Sequence, residues 1–204
     1  MKKHSKIICF IIVIATMVSL LTGCGEIKKA ETTINKTFAA LKTLDFKAAS
    51  GYINIDEIMV DDSDESFDLD QNLFMENLFG KLEHKIISSE QIDKNTVVVK
   101  TEITAIDMKP VLAEYFTKAL QYAFANALAN PQPSEEETNQ KMEEMFVECV
   151  SKEDLATVTN EVDIKVVQVD KTWKIESTDE LSNALLGGFA KAAEELSNSF
   201  NSAE

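Results

Sequence analysis

Apolar and polar positions along this chain follow two periods, one helical and one strand-like. Between Ile27 and Leu44, Ile27, Ile34, Phe38 and Leu41 fall on one helical face, while Lys28, Lys29, Glu31 and Lys36 lie elsewhere. The run "TLDFKAASGYI" follows, with Asp45 placed to cap a second short helix and Gly51 to end it. Period-two runs come next. "KLEHKIISSEQI" and "TVVVKTEITAID", joined by Asp93-Lys94-Asn95, predict an antiparallel hairpin. In its second strand Val97, Val99, Thr101, Ile103 and Ala105 share one face, opposed by Thr96, Lys100, Glu102 and Thr104. Strands resume at "LATVTNEVDIKVVQVD", where Ala156, Val158, Val162, Ile164 and Val166 point together, and Asp170-Lys171-Thr172 turns the chain into "WKIES".

A helical insertion, about residues 109–150, separates the two strand regions. Leu112, Phe116, Leu120, Phe124 and Leu128 recur every four residues after Pro110. Val111, Tyr115, Ala119, Ala123 and Ala127 widen that stripe, which predicts a helix covered on more than one side. "NPQPSEEETNQ" breaks it, and Ser134 and Glu137 have capping-box spacing for a second helix reaching about Cys149. The pair is expected to form a hairpin laid against the sheet or one of its edges. Ser177 and Glu180 repeat the capping spacing before "DELSNALL", which Gly187-Gly188 stops. Phe189, Ala193, Leu196 and Phe200 predict a last amphipathic helix within 189–204, followed by a frayed tail.

The first residues carry a different pattern. Lys2, Lys3 and Lys6 precede an apolar run from Ile7 to Leu21, broken only by Thr16 and Ser19, and small residues follow. That order is a secretory signal peptide, and the run is shorter than the ~20 residues a spanning helix needs. Leu21-Thr22-Gly23-Cys24 resembles the bacterial lipobox. The resemblance implies cleavage between Gly23 and Cys24, with Cys24 carrying a diacylglyceryl thioether and an N-acyl group. Two acyl chains suffice for stable anchoring where one does not. The expected organisation is therefore a signal peptide at 1–23, a lipidated tether at 24–25, a domain at 26–188 and the C-terminal helix and tail at 189–204. Its expected place is the extracytoplasmic face of the membrane of a Gram-positive cell.

Charge narrows the partners. The chain contains no arginine, and loss of residues 1–23 leaves 17 lysines against 35 acidic residues, a net charge of −18. Such a surface repels phosphates and anionic headgroups, so nucleic acid is not an expected partner and the membrane is reached through the anchor alone. With Cys24 acylated, Cys149 is the one remaining thiol, and its spacing from Met142, Met145 and Phe146 marks it as a small core residue. His84, alone in the mature chain, shares the face of Leu82 and Ile86; a Cys149–His84 dyad stays open but has no motif behind it. The acidic stretch around 56–70 fails as a calcium loop. Counted from Asp62 or Asp64, it lacks the turn glycine and places Leu73 or Met75 at the twelfth position. A solvated loop is expected there, with a weak divalent-cation site as the alternative. No cofactor or metal site is expected.

"TLDFKAASGYI" early and "VVQVDKTWKIESTDELSNALLGG" late resemble lipoproteins with nuclear-transport-factor-2-like (cystatin-like) domains. The resemblance implies an α+β fold, a cone-shaped curved antiparallel sheet packed on N-terminal helices, with a concavity that is either ligand pocket or core. The usual Asp-Gly-Lys turn before the tryptophan is here Asp170-Lys171-Thr172, without the glycine. Enzymes of the wider superfamily need an acid or base inside the cone, yet no spacing singles out a set among Tyr52, Tyr115, Tyr122 and the acids. The reading is a non-enzymatic binding or interaction protein, meeting a small apolar ligand, a peptide or a protein on the concave sheet or along Phe116–Phe124. An isomerase- or dehydratase-like enzyme with a buried carboxylate, and a scaffold or chaperone-like protein without a pocket, are the alternatives.

Overall fold

The computed structural model describes residues 25–56, 58 and 71–201. Helix α1 (25–42) buries Ala30, Ile34, Phe38 and Leu41 together with Thr33 and Thr37. The two buried hydroxyls are satisfied within the helix, Thr33 Oγ1 donating to the Lys29 carbonyl and Thr37 Oγ1 to the Thr33 carbonyl. Leu44, at φ 56°, ends the helix in the left-handed region, with Asp45 N–H donating to the Ala40 carbonyl at 2.9 Å and Leu44 N–H to the Leu41 carbonyl at 3.0 Å. Asp45 then caps α2 (Phe46–Ala49) by accepting from Ala48 N–H, as the sequence indicates.

Helix α3 (Gln71–Gly80) leads into a sheet of β1 (Glu83–Asp93), β2 (Thr96–Ile106), β3 (Thr157–Val169) and β4 (Thr172–Ile175). All pairs are antiparallel and the spatial order is β1-β2-β3-β4. The fold is thus the α+β class expected. Val97, Val99, Thr101, Ile103 and Ala105 of β2 and Val162, Ile164 and Val166 of β3 form the buried face. The outer face is polar, with Lys85–Glu102, Lys165–Glu176 and Thr104–Thr159 paired across strands. Register in β1 shifts between Ile86 and Ser88 and again between Gln91 and Asp93. Each extra residue, Ile87 and Ile92, is pushed outward, and such bulges increase the bend and twist that curve a sheet.

Between β2 and β3 run α4 (Met108–Ala127) and α5 (Glu135–Val150), the expected insertion. Ser134 and Glu137 form the capping box of α5 with both reciprocal bonds present. The hairpin packs on α3 and on α7 rather than across the sheet, which departs from the expected placement. The reason is that the inner face is already occupied, by α1 and by α6 (Asp179–Leu185), which packs on β2 and β3. Thr178, not Ser177, caps α6 by accepting from Leu181 N–H. Gly187 and Gly188 adopt φ of 60° and 80° and end it, and α7 (Phe189–Asn201) follows, burying Ala192 against the core.

Candidate functional site

Gly23 and Cys24 lie outside the described residues, as do residues 1–22, 57 and 59–70, the last covering most of the acidic stretch. The first described residue, 25, already belongs to helix α1. The helix runs antiparallel to β1, since Glu31 meets Ser89 Oγ at 2.8 Å and Asn35 meets His84 at 2.7 Å. Residue 25 therefore lies toward the end of the sheet that carries the β1–β2 turn. Among the described residues no helix is long and apolar enough to cross a membrane.

The interior of the curved sheet is core. Ile34, Phe38, Leu41, Phe79, Ile103, Ile164, Leu181 and Leu185 fill it. Trp173 of β4 also belongs to this core and is 5% exposed. Its indole N–H has no acceptor among the described residues, and neither does the Ser177 hydroxyl two positions beyond Ile175. The buried polar residues described are Thr33, Thr37 and Thr101, none of them a carboxylate. Tyr115 packs edge-on to Phe116 and Phe146, and burial raises its hydroxyl pKa. Tyr52 lies under Lys36, and its carbonyl accepts from Ile175 N–H at the edge of β4. Among the described residues no set of His, Cys, Asp and Glu is arranged to hold a metal ion.

His84 and Cys149 are not brought together. The imidazole stacks on Phe38, ring centroids 4.3 Å apart, and Nε2 donates to Asn35 Oδ1, an atom that can only accept. Burial, and then the Lys42 charge, lowers its pKa below the ordinary value. Asn35, Phe38, Ala39, Lys42, Leu82, Glu83 and His84 line an open groove of about 290 Å³ between α1 and the start of β1. Cys149 is fully buried on α5, and burial pushes its thiol up, opposite to what a nucleophile needs.

A second feature lies on α4, and here burial divides the sequence stripe. Val111, Leu112 and Ala119 are buried and Tyr115 is half-buried, its ring against Phe146 of α5. Lys118 binds Glu114 at 3.2 Å and Glu148 at 2.9 Å, and Lys152 also binds Glu114, tying the base of the hairpin. These contacts hold the Glu114 carboxyl below, and the Lys118 ammonium above, their usual ranges. Beyond that cluster the charges stop, and residues 119–134 contain none. Leu120 is 44% exposed, Phe124 73% and Leu128 89%. Ala123 and Ala127, also exposed, lie beside them on the same face. Helix α7 covers this side near its start, where Lys109 binds Glu195 at 2.7 Å. The sequence finds these residues by their spacing but cannot say which of them lack a partner.

No protein-family model and no curated protein matches the chain. Among solved structures it is similar to the Bacillus subtilis subsp. subtilis str. 168 protein ycdA, described as a candidate lipoprotein, with 19% identity and a TM-score of 0.39. The match covers 55% of this chain and 35% of that one, about a third of its length, and is too slight to bear on fold or function.

Proposed function

We propose that this is a lipid-anchored extracytoplasmic protein of a Gram-positive cell that works by binding another protein, without catalysis. The observation that carries the interaction is the apolar face of α4, Leu120, Phe124 and Leu128, left exposed among the described residues on a domain whose sheet interior is otherwise filled. The largest apolar patch on a monomeric surface, on the order of a few hundred Å², is often functional. The anchor rests on the lipobox at Leu21–Cys24 and on the lysines and apolar run that precede it. An N-terminal helix against the inner face of a curved antiparallel sheet supports the nuclear-transport-factor-2-like (cystatin-like) reading of the domain.

Placement favours a protein over the bilayer. The hairpin leaves the sheet at the Ile106–Thr157 end, opposite the end toward which residue 25 lies. The test is a photoreactive side chain in place of Phe124, in the membrane-bound chain, with palmitate labelling of the same cells. Protein adducts on irradiation and loss of label in Cys24→Ala are expected. Label retained by that variant overturns the anchor, and the absence of any protein adduct overturns the interaction.

A further inference from the structure

The uncovered face of α4 has the geometry of one half of a symmetric contact. Leu120, Phe124 and Leu128 are spaced four apart and so form a continuous ridge. Ala123 and Ala127 run alongside as a row of small side chains, a groove parallel to that ridge. A ridge and a groove on one face make the face complementary to itself, because the ridge of one helix fits the groove of an identical helix.

Charge points the same way. The whole chain carries a formal net charge of −15, so two copies brought together through most of their surface would oppose like charges. Residues 119–134 are the exception, since they hold no charged side chain. A partner chosen by charge would instead be basic and would pair beside this stretch, at Glu135, Glu136 and Glu137 of α5, rather than on it.

We propose that this face of α4 pairs with the same face of a second copy of the chain. The proposal rests on the anchored, protein-binding reading above and names its partner. The contact is small. Three large side chains and two alanines cover on the order of a few hundred Å² per copy, below the ~800 Å² of a standard interface. Pairing is therefore weak in dilute solution. Two copies held in one membrane by their anchors meet at a raised effective concentration, which compensates for a small interface.

The experiment uses the full chain in its own membranes. Single cysteines replace Leu120, Ala123, Phe124, Ala127 or Leu128, one at a time, and the membranes are treated with a mild oxidant. The control is Lys174→Cys, on the exposed side of β4. Cys149 is buried in α5 and takes no part. At least one position on the α4 face is expected to give a species of twice the chain mass, at about tenfold or more the yield of the control. Adding Phe124→Asp to a cross-linking variant other than the one at 124 is expected to cut that yield by about tenfold, with the chain still folded by protease resistance. No doubled mass at any of the five positions overturns the proposal, as does a yield equal to the control or one unmoved by Phe124→Asp. If photoreactive chains at 124 give adducts only with other proteins, the second copy is overturned and the interaction reading stands. If they give no adducts at all, both fail.

Discussion

Gly187 sits where four elements meet, and replacing it by alanine tests that junction directly. Its φ of 60° is a conformation that L residues resist, and a Cβ built there would lie 1.7 Å from the Ile106 carbonyl oxygen and 2.9 Å from its carbon. Neither atom belongs to a flexible side chain. Ile106 is paired with Thr157 across β2 and β3, and the Gly187 carbonyl accepts from Met108 N–H at 3.0 Å, where α4 begins. Relief requires the α6–α7 corner to move off the sheet, giving up that hydrogen bond. The conformational part costs ~1–2 kcal/mol. The lost bond costs ~1 kcal/mol. Displaced packing of Leu185 and Met108, both buried, adds to these, for a total of ~3–5 kcal/mol.

Gly188 is the internal control. Its φ is 80°, but a Cβ there meets nothing within 4 Å, so Gly188→Ala should cost only the conformational part, ~1–2 kcal/mol. Urea unfolding followed by the fluorescence of Trp173, the sole tryptophan, reads both variants in one background. Two glycines that prove equally costly would refute the steric argument, because they differ only in what stands against the added carbon.

Two further outcomes follow from local geometry. Asp170 and Lys171 have φ of 49° and 68°, the pair of positive angles of a type I′ hairpin turn, so Lys171→Gly should raise stability by ~0.5–1 kcal/mol; a loss in the same urea titration would contradict that turn. His84 has a folded pKa below its ordinary value, so the folded state binds fewer protons than the unfolded one; its contribution is complete above the unfolded value of ~6.5 and is lost as pH falls through the folded value. His84→Gln should therefore flatten the decline in urea midpoint between about pH 7.5 and about pH 5, and an unchanged slope would refute the assignment.

How much of this was legible in the residues depends on whether one period ruled a segment. The inner faces of β2 and β3 follow from alternation because one side of each strand is buried and the other wet. β1 resists such a reading. Its two extra residues reset the phase, so Ser89 and Gln91 take the inner side and Ile87 and Ile92 the outer. Helix α3 does not stand out in the sequence, because Leu78, Phe79 and Leu82 have helical spacing while Leu82, His84 and Ile86 have strand spacing, and the two patterns share a residue. The capping spacing of the sequence points to Ser177, one residue before the cap that α6 uses. Ser177 continues the alternation of Trp173 and Ile175 and turns inward, leaving Thr178 to accept from Leu181. On α4 the stripe was legible and its exposure was not, since core and contact faces have the same spacing and differ only in what lies opposite.

The Gly187 junction and the uncovered face are parts of one arrangement. The same corner that presses Gly187 against Ile106 sets α7 off beside the first turns of α4, where Lys109 reaches Glu195. Helix α7 begins at Phe189, two residues past the glycine, so its reach along α4 is fixed from that corner rather than by a loop free to adjust. The apolar stripe of α4 continues beyond the part that α7 covers, through Leu120 and Phe124 to Leu128. A longer cover would have buried those side chains within the chain, at ~25 cal/mol for each Å² of apolar surface removed from water. Among the described residues this gain is left untaken, on the one long stretch of the hairpin without charge, and that is the ground on which the face is proposed as a surface for another chain.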